Sequence, residues 1–491
     1  MALLLAWIGG LIYSLLSGLD LPAQRALLML TVVILSFFIR SSFNLLHSIN
    51  TVLVLVVIIY PLAVLAESFW LTISALMIIA FGAFILQQQP SRIKQLLVIQ
   101  LLFSILFIPL SIFIFGQIHS ASIAANLIAV PFISFIIVPL NFILLTLFWL
   151  PQPVLQLLYA LVDYLLELLM SYLNWLQNNG LNAIEVAEIE EWKLILILIF
   201  IVLLLMPRGF ISRAMALFLL PPLVFWNQHQ LTAKELKMTV LDVGMGTAVI
   251  LQTAHHSLVY DFGPGNEQGY SLGLWAVLPY MHNQGIDKPH RIVISHADQD
   301  HSGGFYALQQ KYEGIPLFSG TVPEVKHKFP ELQSIKDCHL TKSWMWDGVK
   351  FEFIGKQPEQ SVSENNRSCV LKVSLNENSV LISGDIEFDQ EIQLIKENPE
   401  ILRATVLVVP HHGSETSSSE AFIKAVDADG IIFTTGYLNR WKFPRSKIVQ
   451  RYAKTGAQLM QTDKTGAIQV YCSEVDCKIK KFRHQHPRLW Y

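Results

Sequence analysis

The segment His290–Phe305, HRIVISHADQDHSGGF, places His296, Asp298, Asp300 and His301 within six positions, directly after an apolar run. Imidazoles and carboxylates in that density are ligands for divalent metal ions, and two ions can share a carboxylate. Three other clusters repeat the chemistry: Asp261 in VYDFG, Asp385 in LISGD, and His411 with His412 in VVPHHGS. Each follows a short apolar run, so loops at strand ends can converge on one site. The alternative for His296–His301 is a solvated acidic turn, and the three companion clusters weigh against it. His411 or His412 taken singly could equally be structural. The Gly303–Gly304 pair is read as letting the chain turn tightly into the next helix.

The elements that must carry these clusters are strands and amphipathic helices in alternation. KMTVLDV, AVILQ, SLVYDF, RIVIS, LKVSL, SVLIS, TVLVVP, GIIFTTG, QLMQT and AIQVY read as strands. Helices are expected near 388–396, at 420–426 and at 445–454. The pattern predicts an α/β or α+β sandwich.

The rest of the chain has a different solvent. Residues 1–231 hold 15 charged side chains and residues 232–491 hold 57. A water-soluble domain that poor in charge would expose large apolar surface, whereas a bilayer accommodates it. The expectation is a membrane domain, 1–231, followed by a water-soluble domain, 232–491. Nine apolar runs mark the first: 3–19, 26–39, 43–66, 69–86, 94–115, 123–150, 154–176, 193–205 and 210–226. The last two are short and read as a hairpin or two spans. Pro131 and Pro139 predict a break in the sixth, either of the kind found where helices line a cavity or a plain kink with no transport role. No basic region precedes the first run, which argues against a signal peptide.

With nine crossings, Arg40, Arg92, Lys94, Arg208 and Arg213 fall on the cytoplasmic face. The acidic loop 185–191 and the soluble domain then lie outside. Among the acids of the membrane region, Asp163 and Glu167 share a helix face, expected to meet a cavity or partner helix. Glu67 reads equally as interfacial. All four cysteines lie in the soluble half. Cys472 and Cys477 bracket a turn and can pair if the domain is outside the cytoplasm. No CxxC spacing indicates a zinc knuckle.

SHADQDHSGG resembles the HxHxDH signature of the metallo-β-lactamase fold, with Asp298 in place of the second histidine. LISGD and VVPHHGS are similar to that fold's later motifs. The combination of DVGMGTAVIL, the HxDxDH variant, SENNRSCVLKV, LISGD, PHHGSETSSS and TGYLNRWKFPR…TDKTGAIQV resembles the C-terminal domain of the ComEC family, the inner-membrane DNA channels of bacterial natural transformation. GLIYSLLSGLDLPAQRALLM and SASIAANLIAVPFISFIIVPL are similar to segments of that family's competence domain. The resemblance covers nearly the whole chain. It implies a polytopic α-helical membrane domain followed by an αββα metallo-β-lactamase-like domain. Family members commonly carry an OB-like segment and further helices upstream, so the resemblance implies a short form or a truncated product.

On that resemblance, one metal site is completed by Asp300, His301, Asp385 and His411. A second takes His296, Asp298 and the bridging Asp385, with an Asn or Ser oxygen from the region of Asn365, Asn366 and Ser368, where the fold's third-motif histidine is absent. One or two divalent ions are implied, Mn²⁺ or Zn²⁺, the oxygen-rich second site favouring Mn²⁺. Asp261, Asn366, Ser368 and His412 are assigned to supporting the ligands, and Asp242 to shaping the loop. Asp300, His301 and Asp385 would carry catalysis.

The chemistry that fits is metal-assisted phosphodiester hydrolysis, in which no nucleophilic Ser or Cys is needed. Ser414, Thr416 and Ser417 either contact phosphate or cap the next helix. Arg440, Lys442, Arg445 and Lys447 lie beside Trp441 and Phe443, a mix suited to DNA backbone contact and base stacking or to an ordinary solvated face. The soluble half has 28 basic and 29 acidic residues, so any DNA path is local. The resemblance implies DNA uptake across the bacterial inner membrane, one strand degraded by a periplasmic nuclease domain and the other passed inward. DNA, membrane lipid, other competence proteins and a further copy of the chain are the implied partners. Two alternatives stand: a membrane-anchored hydrolase of a small ester or phosphoester, and a channel whose lactamase-like domain binds DNA without cutting.

Overall fold

The structure is a computed structural model that describes the chain except at residues 1, 19, 39–44, 87–90, 148, 182, 187–188, 190, 207–212, 225–230, 357–361 and 486–491. The chain divides into two compact units, Met1–Trp226 and Asn227–Tyr491.

The first unit is helical because its long apolar runs leave the backbone no partner in lipid except itself. Among the described residues, four helical stretches are long and apolar enough to cross a bilayer: Glu67–Ile85, Lys94–Phe115, Ser122–Thr146 and Gln152–Asn178. The apolar helices Ala2–Leu16, Leu45–Ile59 and Glu191–Leu205 are shorter. In the last apolar run, the described residues form a 3₁₀ turn at Arg213–Leu219 and the short helix Leu220–Val224. Arg40 and Arg208 lie outside the described residues.

The break expected at the two prolines is instead a widened turn. Helix Ser122–Phe132 contains Pro131 and runs into a π-helical turn, Ile133–Ile137, where the Val138 N–H bonds the Ile133 carbonyl. Helix Val138–Thr146 continues from it. The longer hydrogen-bonded ring accommodates Pro139, which has no N–H to give. Helix Gln152–Asn178 buries Leu155, Val162, Leu169 and Leu176, spaced by seven, and leaves Asp163 and Glu167 on its exposed side. Those two acids do not line the cavity of about 320 Å³ in this unit whose polar lining comes from Ser104, Ser111, His119, Ser122 and Asn126. Arg25 is buried and clamps two helices, its guanidinium donating to the Ser68 carbonyl and hydroxyl at 2.8 and 2.9 Å.

In the second unit two sheets stack face to face. One runs Cys477–Lys481, Ile468–Cys472, Leu236–Val240, Val249–Gln252, Ser257–Tyr260, Arg291–Ile294, Leu317–Ser319, Ile335–Asp337, with parallel pairing from Ser257–Tyr260 onward. The other runs Gln458–Gln461, Gly430–Phe433, Val406–Val408, Asn378–Ile382, Val370–Leu375, Val349–Ile354, Trp344–Trp346, with its first four strands parallel. Alternation along each strand builds three apolar layers. Met238, Val240, Val249, Leu258, Val293, Leu371, Val380, Val408 and Ile432 fill the space between the sheets. Ile250, Val259 and Ile292 face the other way and pack with Val277, Met281, Phe305 and Val325. Leu381, Leu407, Ile431 and Phe433 pack with Leu394, Phe422, Ile448 and Tyr452. The result is an α/β/β/α sandwich, the metallo-β-lactamase-like architecture.

Two disulfides are present, Cys472–Cys477 and Cys338–Cys369. The first closes the turn between two antiparallel strands. The second joins the sheets, because Cys338 follows the edge strand Ile335–Asp337 and Cys369 precedes Val370–Leu375. It closes a loop with a sequence separation of 31, for which chain entropy gives about 3–4 kcal/mol. Reduction, or the double change Cys338→Ser/Cys369→Ser, is expected to lower the denaturation midpoint of this unit accordingly. A midpoint indifferent to reductant would contradict that role.

Candidate metal centre

The donors sit on loops that leave strand ends. Arg291–Ile294 ends at Ser295, and the chain then presents His296, Asp298, Asp300 and His301 through a single helical turn, Gln299–Ser302. The Gly303–Gly304 pair follows, and its role differs from the one expected. Neither residue has a positive φ. A Cβ on Gly304 would lie 2.1 Å from the Phe262 carbonyl oxygen, and one on Gly303 would lie 2.5 Å from the Gly265 backbone. The pair is there for backbone-to-backbone contact, which locks the His301 segment against the Asp261 segment.

Val406–Val408 leads into His411 and His412, both with left-handed backbone (φ 48° and 53°). Such strain in consecutive non-glycine residues needs a fixed surround. One support is Glu391, buried, whose carboxylate accepts the N–H groups of Ser418 and Ser419 at the far end of the same loop.

Three imidazoles are held by Nδ1, which leaves Nε2 of each free to face the acids of the cluster. His301 Nδ1 lies 2.7 Å from Asp261 Oδ2. His412 Nδ1 lies 2.8 Å from the Thr434 hydroxyl. His296 Nδ1 lies 3.0 Å from the Ser295 hydroxyl and 3.3 Å from that of Ser368. Opposite them, His301 Nε2 is 3.1 Å from Asp385 Oδ1 and 3.2 Å from His412 Nε2. His412 Nε2 is 3.3 Å from Asp300 Oδ2 and 3.5 Å from Asp385 Oδ2. Two overlapping donor groups result, His296/His301/Asp385 and Asp300/His301/His412, each with its ligand atoms within 4.8 Å of one another.

The donor set fits a divalent ion. His296 Nε2 and Asp385 Oδ1 are buried and make no hydrogen bond of good geometry; their neighbours are ion-pair contacts, Asp298 at 3.4 Å and His301 Nε2 at 3.1 Å, an arrangement that a bound cation would complete. The supports behind Nδ1 are those that orient metal-bound histidines. Charge points the same way. Burial opposes a charged His301, but Asp385, Asp261 and Asp300 outweigh it and lift its pKa well above the usual value. Burial likewise opposes a charged His412, and Asp385 and Asp300 raise it. Burial would raise Asp385, yet His301 and His412 hold it well below the carboxylate range. The carboxylates demand positive charge that protons supply where no metal does.

Several sequence assignments move. His411, read as the ligand, has Nε2 3.9 Å from Asp385 Oδ2, Nδ1 3.5 Å from Glu387 and 3.1 Å from the Thr416 hydroxyl, and belongs to neither of the two donor groups. His412, read as a support, occupies the cluster. Both residues have left-handed backbone, so strand alternation does not extend to them. Asp298 is half exposed at the mouth, 3.4 Å from His296 Nε2. The Asn366 side-chain oxygen accepts the Glu387 N–H at 2.7 Å, and Asn366 is in neither donor group. Ser368 meets both His296 and, at 3.2 Å, the Asp385 N–H. Asp261 is buried and bonds Ser295 through both oxygens, at 2.7 Å each. Asp242 pairs with Arg483 at 2.9 Å and takes no part in the cluster. Ser414 is buried and bonds Thr416 at 3.1 Å. Arg440 and Lys442 are exposed and Arg445 half-buried, on the loop beside His411. Ser295 and Thr434 were missed; both are hydroxyls at strand ends, and only the fold brings them to the rings.

Gly384 of LISGD has φ 56°, and a Cβ there would lie 2.7 Å from Ser368 Cβ. Any side chain at that position would push Ser368 off His296.

Residues 1–210 match the Competence protein family, and residues 241–431 match the metallo-β-lactamase superfamily. The chain is 29% identical over 479 residues to competence protein ComA of Neisseria gonorrhoeae, covering 97% of this chain and 65% of that one. It is 28% identical over 444 residues to the uncharacterized protein YcaI of Escherichia coli, covering 88% and 56%. It is 27% identical over 506 aligned positions to recombination protein 2 of Haemophilus influenzae, covering 94% and 62%. The chain thus spans from just over half to just under two thirds of the length of these relatives.

Proposed function

We propose that this chain, whose residues 1–210 match the Competence protein family and residues 241–431 the metallo-β-lactamase superfamily, is a membrane-embedded DNA-uptake protein whose C-terminal domain is a metal-dependent phosphodiesterase. The observation that carries the reading is the pair of overlapping donor groups, His296/His301/Asp385 and Asp300/His301/His412, in which the buried His296 Nε2 and Asp385 Oδ1 meet only ion-pair neighbours and make no hydrogen bond.

Divalent ions, Mn²⁺ or Zn²⁺, held by His296, Asp300, His301, Asp385 and His412, and by Asp298 from the open side, would activate water and neutralise phosphate charge. The chain's own residues do the positioning. Asp261 fixes the His301 tautomer, Thr434 fixes His412, and Ser368 couples His296 to the Asp385 backbone. Lys328 braces the metal loop from outside, donating to the Ala297 carbonyl at 2.9 Å and the Ser302 hydroxyl at 2.7 Å. The phosphodiester is DNA in this reading because the relatives are competence and recombination proteins. The two disulfides favour an oxidising compartment, which supports a periplasmic placement at the bacterial inner membrane. Other competence proteins are the expected partners, with a homo-oligomer as a further expectation.

The test uses the full chain in detergent, stripped of metal, with labelled linear DNA or bis(p-nitrophenyl) phosphate and added Mn²⁺, Zn²⁺ or Mg²⁺. Cleavage that needs the ion and is lost in Asp300→Ala/His301→Ala is the expected result. A folded, metal-loaded chain inert towards DNA with every ion would overturn the nuclease assignment. Turnover of the small diester alone would then indicate a small-substrate hydrolase.

A further inference from the structure

The loop Gly436–Pro444 carries features that folding does not explain. Tyr437 is 74% exposed and Leu438 84% exposed. Leu438 also has a left-handed backbone, φ 50°, as does Lys442 at φ 57°. An exposed leucine in the left-handed region bears both an apolar-hydration cost and backbone strain, so stability alone would select against it. Yet the loop is held firmly. The Asn439 amide donates to the carbonyls of Gly436 (2.9 Å) and Phe443 (2.6 Å), and its oxygen accepts the Phe443 N–H at 2.9 Å.

Both ends of the loop rest on walls of the metal centre. Gly436 packs on the Gly244–Met245 backbone. Two residues on, the Thr247 N–H bonds the Asp300 carbonyl at 3.1 Å. At the other end, the Phe443 ring lies 5.9 Å from the His411 ring, and the Arg445 N–H bonds the Gly413 carbonyl at 3.0 Å. The loop is therefore part of the rim of the cluster. Its cations are arranged on its rings: the Arg440 guanidinium lies 4.0 Å from the centre of the Trp441 ring, and that of Arg445 lies 5.5 Å from Phe443. The stretch from Gly436 to Lys447 contains four basic residues and no acid.

We propose that this loop is a base-stacking subsite for single-stranded DNA, in which Tyr437, Leu438 and Trp441 take unpaired nucleobases while Arg440 and Lys442 take the flanking phosphates. It rests on the phosphodiesterase reading above and adds what the site selects: a strand whose bases are free to stack. Aromatic faces bind any base, and basic residues between them track the backbone. Paired bases keep their faces buried in the duplex, so a blunt duplex offers this rim only phosphates.

The experiment measures binding with chelator present, so no hydrolysis is required. The full chain in detergent is titrated with a labelled oligothymidine and with an abasic phosphodiester strand of the same length. The expected result is a preference of roughly tenfold for the base-bearing strand, lost in Tyr437→Ala/Leu438→Ala/Trp441→Ala and kept in Tyr437→Phe/Trp441→Phe. A blunt duplex should bind no better than the abasic strand. Equal binding of oligothymidine and the abasic strand, or a preference that survives the triple alanine change, overturns the proposal. A chain that shows the preference but never cleaves passes here and fails the nuclease test, so the two readings fail separately.

Discussion

Replacing His412 by alanine is expected to weaken divalent-ion binding by more than about 10²-fold and to remove the proposed phosphodiester hydrolysis with it. The larger part of a metal site's affinity resides in the ligands themselves, and loss of a mere ligand support already costs about 10–100-fold. His412 is buried, its Nδ1 is occupied by Thr434, and its Nε2 stands within 3.5 Å of His301, Asp300 and Asp385. His411→Ala is expected to cost no more than about tenfold, because its Nε2 is 3.9 Å from Asp385 and its Nδ1 is engaged outside the cluster by Glu387 and Thr416. Metal content after dialysis, together with turnover of the small diester, decides the matter. The reverse outcome, with His411→Ala losing the ion and His412→Ala keeping it, would mean that the loop rearranges when metal binds.

That contrast marks where the sequence stops being informative. The Arg291–Ile294 strand and the donors after it were legible together, because an apolar run of strand length delivers its polar neighbours to one end of the sheet. Asp385 and the paired histidines were legible for the same reason. The choice between His411 and His412 was not, since adjacent residues share every local signal and strand alternation does not extend to their left-handed backbone. The Cys338–Cys369 bridge needed the register of two sheets, which the sequence does not print. The strands Leu317–Ser319, Ile335–Asp337, Trp344–Trp346, Val349–Ile354 and Cys477–Lys481 were missed; the first three are three residues long, too short to show alternation, and the last two interleave lysines or glutamate with their apolar residues rather than forming an apolar run. Asp347–Gly348 did carry the turn signal for a hairpin joining Trp344–Trp346 to Val349–Ile354. In the membrane unit, apolar runs gave the helices but not their lengths: Pro139 widened a helix where a break was expected, and the final run coiled into short turns.

Asp385 carries the second large effect. It belongs to the His296/His301/Asp385 donor group and also faces His412, so among the described residues it is the carboxylate that touches both donor groups. Burial alone would neutralise it; His301 and His412 keep it ionised. Alanine at this position removes a donor from the shared wall and also the negative charge that makes the pocket attract a cation. Hydrolysis is therefore expected to fall by about 10³-fold or more, since stabilising charge at the reacting phosphate is worth several kcal/mol. Asp385→Asn should be nearly as severe: the amide keeps the volume but offers no charge to hold an ion between the two histidine groups. Circular dichroism and the denaturation midpoint separate this from loss of fold. The midpoint should not drop in step with activity, because Asp385 Oδ1 makes no hydrogen bond that the sandwich depends on. An asparagine variant within tenfold of the parent at saturating Mn²⁺ or Zn²⁺ would show that the carboxylate is not shared, and would leave catalysis to the Asp300, His301 and His412 group alone.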